Sequence, residues 1–269
     1  MSEHVKEIPD LADWQRSDLL RENSPERLYL DLLKGVLTRV LFPDRSRTAG
    51  GEGDFDRDKR ENGMDWPSQA ETMIGLKRLD NLEFCVADVV RRGVPGDLIE
   101  TGVWRGGATI FMRAVLEAYG DPDRVVWVAD SFQGLPEADP SRQTDVEDAL
   151  WQYSELAVSL EEVRGNFERY GLLDERVRFL PGWFDKTLPA APIERLSVMR
   201  LDGDMYDSTM VALESLYPKL STGGFTIIDD YGAIRGCKEA VDEFRTRQGI
   251  EDPMYTIDWT GTFWRKTAS

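Results

Sequence analysis

The chain has 269 residues, enough to bury one substantial core, and its 41% hydrophobic and 31% charged content suits a soluble globular protein. A formal net charge of −17 argues against a nucleic-acid partner and disfavours an anionic membrane, and no apolar run is long enough to span a bilayer. The single histidine, His4, stands near the start, which excludes a Ser-His-Asp or Cys-His mechanism, and the two cysteines form no CxxC pair, which argues against a zinc site or a disulfide framework.

The opening "MSEHVKEIPDLADW" is polar and acidic, without the basic and apolar regions of a signal peptide, and a cytoplasmic protein is expected. Residues 1–23 read as an arm or edge-packing segment. In "SPERLYLDLLKGVLTRVLF", Ser24 is the expected N-cap with Pro25 at the first helical position. Leu28, Leu32, Leu33, Val36 and Val40 form its apolar stripe. The polar, Gly-bearing stretch 43–67 reads as a mobile lid. A second helix is expected from about Ser68, carrying Met73, Ile74, Leu76, Leu79 and Leu82.

From Gly96 the chain alternates between strand and helix. "DLIETG", "RVVWVADSF", "RVRFLPGWF", "LSVMRLDGD" and "GGFTIIDDY" read as strands, with helices at about 106–119, after Ser159, after Asp207 and at 238–248. A polar insertion near 136–160 contains "DALWQYSELAV", and "MYTIDWTGTFWRK" reads as a closing hairpin. This rhythm predicts an α/β fold with a doubly wound, mostly parallel sheet and an antiparallel edge strand. The expected organisation is an N-terminal part, 1–95, of arm, helices and lid, followed by a core at 96–269.

"LIETGVWRGGATIF" is a strand, a glycine turn and a helix start, where α/β sheets place nucleotide-like ligands. Its GxxxGG spacing is not the dinucleotide fingerprint, and the acidic Glu100 below the loop would repel a pyrophosphate. A carboxylate there suits an ammonium or sulfonium group, hence S-adenosylmethionine. Asp130 is placed for a ribose diol or, more plainly, as a helix cap. Gly182 and Trp183 are placed for adenine, with ordinary core as the alternative for the indole. The run "YPKLSTGGFTIIDD" matches a class I methyltransferase turn before the fifth strand.

Asp202, Asp204, Asp229 and Asp230 fall at the ends of two strands expected to be neighbours. Such carboxylates repel one another unless a cation intervenes, and with no imidazole at hand the cation is hard and oxygen-bound, Mg²⁺. The assigned metal ligands are Asp202, Asp229 and Asp230. Asp204 is the expected general base, acting on a hydroxyl acidified by the metal. Asp207 is expected to cap the next helix.

These segments, with "TMIGLKRLDNLEFCV" and "NFERYGLLDERVRFLPGWF", resemble the macrocin O-methyltransferase family over most of the chain. The resemblance implies a Rossmann-like class I methyltransferase that methylates sugar hydroxyls of macrolide- or aminocoumarin-type antibiotics. It implies donor binding by Met73, by Glu100, Thr101, Gly102, Val103, Trp104, Arg105 and Gly106, by Asp130, Ser131 and Gln133, and by Gly182 and Trp183. It also implies Mg²⁺ on Asp202, Asp229 and Asp230, with Asp204 as base, and lids around Trp66, Trp151 and Tyr153. The expected partners are a glycosylated natural product and further copies of the chain, in a homodimer or larger homo-oligomer. A catechol acceptor and a non-catalytic binder of S-adenosylmethionine are the competing readings.

Overall fold

The computed structural model describes residues 11–20, 23–48 and 51–267; His4 and the rest of the first ten residues lie outside these. In chain order the elements are α1 (Pro25–Leu37), β1 (Ser46–Thr48), β2 (Gly51–Gly53), α2 (Arg57–Glu61), β3 (Trp66–Pro67) and α3 (Gly75–Arg92). There follow β4 (Asp97–Thr101), α4 (Gly107–Ala118), β5 (Val126–Asp130), α5 (Gln143–Asp148), α6 (Leu160–Arg169), β6 (Val177–Pro181) and α7 (Phe184–Thr187). The last are β7 (Leu196–Leu201), α8 (Tyr206–Leu216), β8 (Leu220–Ile228), α9 (Arg235–Gln248), β9 (Tyr255–Thr256) and β10 (Thr262–Arg265).

The main sheet has the order β6-β5-β4-β7-β8-β10-β9. Its first five strands are parallel, while β10 runs antiparallel to β8 and β9 antiparallel to β10. This is the class I methyltransferase sheet with the expected antiparallel edge. Strand order reverses between β4 and β7, which opens a crevice at their carboxyl ends.

Side chains alternate across the sheet into two cores. Val126 and Val128 of β5 join Phe84, Phe111, Phe167 and Phe225 on one face. Trp127 and Ala129 join Met199, Leu213, Phe244 and Trp264 on the other. Trp14, from the turns at 11–16, packs 6.0 Å from the rings of Phe84 and Phe263 and covers the first core.

Four expectations need correction. Ser24 does cap α1, its Oγ accepting from the Arg27 N–H at 3.2 Å. The buried face, however, runs through Leu30, Leu33 and Leu37, and Leu28 and Leu32 are 65% and 58% exposed. Lys34 explains the rotation: its buried amine pairs with Asp80 and Glu83 of α3, so its side of α1 must face inward.

Helix α3 begins at Gly75, not near Ser68. The Asp44 carboxylate accepts from the Gln69 and Ala70 N–H groups, and Arg105 donates to the Ala70 carbonyl at 2.9 Å. The Thr72 N–H goes to the Leu37 carbonyl at 3.3 Å and the Glu71 carbonyl accepts from the Gly107 N–H at 2.9 Å, so, with the Ala70 carbonyl, groups that a helix from Ser68 would pair internally are bonded to other elements. Residues 43–67, expected to be a lid loop, hold a three-stranded antiparallel sheet and α2. Buried Arg60 organises this segment, bonding Asp44, Asp65 and the Thr38 carbonyl. Asp207 lies inside the first turn of α8 and is not its cap; that position belongs to Met205.

Candidate active site

The carboxyl ends of β4, β5, β7 and β8 open into one cavity of about 760 Å³. Of the residues expected to bind the donor, Met73, Glu100, Gly102, Val103, Trp104, Asp130, Ser131 and Trp183 line it. Thr101, Arg105, Gly106, Gln133 and Gly182 are not part of its lining. Arg105 stacks on the Trp104 ring at 4.1 Å and ties the glycine loop to the 67–70 segment. Gln133 is exposed and turns back on the Ser131 carbonyl at 3.4 Å.

Gly102 has φ +80°, and a Cβ there would overlap the Asp202 carbonyl oxygen. Only glycine lets the β4 turn pass so close to the end of β7. Asp130 fixes the same turn from the other side, accepting from the Val103 and Phe132 N–H groups at 2.7 Å each. Trp183 is 37% exposed at the rim, so its indole is not core.

Glu100 is the floor of this half. Its Oε1 accepts from Arg200, while its buried Oε2 has no protein partner among the described residues. Burial lifts the carboxyl to about 8, against the pull of the Arg200 guanidinium. An unpaired carboxylate oxygen inside a cavity fits a cationic ligand such as the ammonium of an amino acid.

The other half is the carboxylate cluster. Oxygens of Asp202, Asp204 and Asp230 lie within 4.8 Å of one another. Asp229 is adjacent but carries two arginines, Oδ1 accepting from Arg200 and Oδ2 from Arg78. The convergent trio therefore includes Asp204 where the sequence suggested Asp229. Each Asp229 oxygen retains a second lone pair beyond its guanidinium contact, so ligation by Asp229 is compatible with both arginines.

Sequence reading missed these arginines. Arg200, inside buried β7, bonds Glu100, Asp202 at 2.8 Å and Asp229. Arg78, on α3, also reaches Asp258 at 3.1 Å and the Gly63 carbonyl at 3.0 Å. A visible signal was present: an arginine inside the otherwise apolar run "LSVMRL" must have buried acidic partners. Even so, Glu100, Asp202, Asp204, Asp229 and Asp230 bring five carboxylates against two guanidinium groups. Burial and the facing carboxylates of Asp204, Asp202 and Asp229 hold Asp230 well above the usual range, and burial and Asp229 push Asp202 up to about 6. An all-oxygen cluster with excess negative charge fits a hard divalent cation.

Part of the cavity lining is apolar and aromatic, with Met64, Trp66, Leu135, Leu150 and Trp259. Trp66 meets Tyr153 edge-on at 5.2 Å, and Trp104 Nε1 donates to the Glu155 carbonyl at 2.9 Å. The 43–67 segment and the 136–160 insertion thus touch across the opening.

Residues 44–266 match the family model described as macrocin O-methyltransferase (TylF). The chain is 60% identical, over 90% of its length and 94% of the relative's, to the 8-demethyl-8-(2,3-dimethoxy-α-L-rhamnosyl)-tetracenomycin-C 4′-O-methyltransferase of Streptomyces olivaceus. It is 54% identical, over 90% and 97% respectively, to the mycinamicin III 3″-O-methyltransferase of Micromonospora griseorubida. The solved structure of the O-methyltransferase NovP superposes with a TM-score of 0.84 at 50% identity, covering 90% of this chain and all of that one. With the strand order, the glycine turn and the carboxylate cluster in place, these matches show that the chain belongs to the macrocin O-methyltransferase family and is an O-methyltransferase.

Proposed function

We propose that the protein transfers the methyl group of S-adenosylmethionine to a sugar hydroxyl of a glycosylated antibiotic-type natural product, with Mg²⁺ at the carboxylate cluster. The observation that carries this reading is the shared cavity. It joins the unpaired Glu100 Oε2, the Asp202–Asp204–Asp230 trio and a set of apolar and aromatic lining residues. The names of the relatives, which act on a rhamnosyl tetracenomycin and on mycinamicin III, support a glycoside acceptor.

In this reading Glu100 Oε2 takes the donor ammonium, Asp130 the ribose diol and the Trp183 face the adenine. Asp202, Asp229 and Asp230 would hold the cation. Bound there, Mg²⁺ supplies Lewis acidity that lowers the pKa of an adjacent hydroxyl. Asp204 accepts the hydroxyl proton while the oxygen attacks the methyl carbon. A C–O bond forms, the methyl–sulfur bond breaks, and S-adenosylhomocysteine leaves. Met64, Trp66 and Leu150 hold the apolar aglycone and keep water from the reacting atoms.

The test is methyl transfer by purified enzyme, read by mass spectrometry, against rhamnosylated tetracenomycins, mycinamicin III and catechol. A glycoside should be methylated, EDTA should abolish turnover, and added Mg²⁺ should restore it. Full activity in a verified metal-free sample removes the cation from the proposal. Turnover of catechol with none of the glycosides moves the acceptor to a phenol.

A further inference from the structure

Helices α8 and α9 start immediately after the two carboxylate-bearing turns, and neither has a capping side chain of its own. Their N-cap positions are Met205 and Ile234, which offer no oxygen. The missing acceptor comes from a third element. Asp145 of α5, only 2% exposed, takes the Tyr206 N–H on both carboxylate oxygens, at 3.0 and 3.1 Å. The first turn of α9 presses on the same carboxylate, for a Cβ at Gly236 would overlap Asp145 Oδ1. One negative charge thus lies at the positive ends of two helices.

Arg142 adds a second clip. Its guanidinium stacks 3.8 Å from the Tyr206 ring centroid and stands 3.7 Å from Asp207 Oδ1. The turn that these contacts hold is a tight one. Asp204 has φ +56°, the Met205 N–H returns to the Gly203 carbonyl at 2.6 Å, and the Asp204 N–H reaches Asp230 Oδ2 at 3.3 Å. The 136–160 insertion also lines the cavity, through Pro136, Leu150 and Leu156.

We propose that Asp145 is a positioning residue: through it, docking of the 136–160 insertion sets the register of the α8 and α9 N-termini and hence the spacing of Asp202, Asp204 and Asp230. The proposal rests on the reading that this cavity takes the acceptor and that the cluster takes a cation. Whatever the acceptor contributes to docking the insertion is then felt at the cation, and the coupling is reciprocal.

The test compares Asp145→Ala, Asp145→Asn and Arg142→Ala with the wild type, all as full chains. Three measurements are made: amide hydrogen exchange by mass spectrometry, Mn²⁺ binding by electron paramagnetic resonance, and S-adenosylhomocysteine binding by calorimetry. In Asp145→Ala, exchange across 203–207 should speed up about five- to tenfold, the scale of a lost helix cap, and Mn²⁺ affinity should fall by a similar factor. Affinity for S-adenosylhomocysteine should stay within about twofold, because its site lies on β4 to β6. Asp145→Asn keeps an oxygen acceptor and should recover most of both losses. Arg142→Ala, which leaves the buried carboxylate in place, should move the same readouts less and covers the case in which the alanine variant does not fold.

Faster exchange confined to 142–150, with Mn²⁺ affinity unchanged, would overturn the proposal and leave Asp145 a builder of the insertion alone. None of these measurements needs an acceptor, so a failure of the glycoside panel is distinguishable from a failure here. In a protein that binds no Mn²⁺, exchange at 203–207 decides alone.

Discussion

Replacing Arg200 by methionine keeps an unbranched, strand-compatible side chain in β7 and removes the guanidinium that serves three carboxylates. Arg200 is 1% exposed and donates to Glu100, Asp202 and Asp229. Three charge-assisted bonds at about 1.5–3 kcal/mol each would set a gross ceiling of roughly 4.5–9 kcal/mol. The net loss is smaller, because the abandoned carboxylates can take up protons. Burial already holds Glu100 near 8 and Asp202 near 6 with the arginine present. The expected destabilisation is therefore about 3–5 kcal/mol, the scale of breaking a buried ion pair. For a chain of this size that lowers the thermal midpoint by roughly 6–20 °C. Circular dichroism melts at neutral pH measure it. Adding Asp229→Asn to the variant removes one of the stranded charges, so the double variant should lose less than the sum of the two single losses. A midpoint within about 2 °C of the wild type, or strict additivity, would show that Arg200 does not hold the cluster together.

Asp204→Asn removes basicity while retaining a residue type that accepts positive φ. It should lower kcat by about 10²-fold or more with donor affinity unchanged, measured by steady-state kinetics and calorimetry. Loss of bound metal in that variant would make Asp204 a ligand instead of a base. Glu100 carries the pH signature. Its carboxyl rises from 4.5 to about 8 in the fold, so the folded chain keeps a proton that the unfolded chain releases. That stability is complete below about 4.5 and is lost as pH climbs through 8, so thermal midpoints measured without donor should decline over this window. Glu100→Gln, permanently neutral, should flatten the decline, and equal slopes in both proteins would exclude Glu100 as its source.

The strands were legible because each parallel strand is a short apolar run ended by a polar turn, and β4, β5, β7 and β8 all have that form. Caps were legible for the same local reason: Ser24 and Ser159 each accept from an N–H three residues on. Where a side chain from elsewhere supplied the partner, local reading failed. Asp207 looked like the cap of α8, but the acceptor comes from Asp145, and the face of α1 was turned by pairing between Lys34 and α3.

The question of what balances the acidic strand ends divides along the same line. The carboxylates are adjacent in sequence and announce themselves, whereas Arg78 lies 151 residues from the Asp229 it bonds. No periodicity or spacing can connect two such positions; only the packing of α3 against the sheet does so. Arg200 is the instructive middle case. It is local to Asp202, but its reach to Glu100 depends on the pairing of β4 with β7, where Glu100 and Arg200 stand opposite each other. That pairing puts a guanidinium between the donor floor and the carboxylate cluster. Changes on either side therefore act on the same three carboxylates, and a cationic ligand at Glu100 or a cation at Asp202 relieves one network of buried charge.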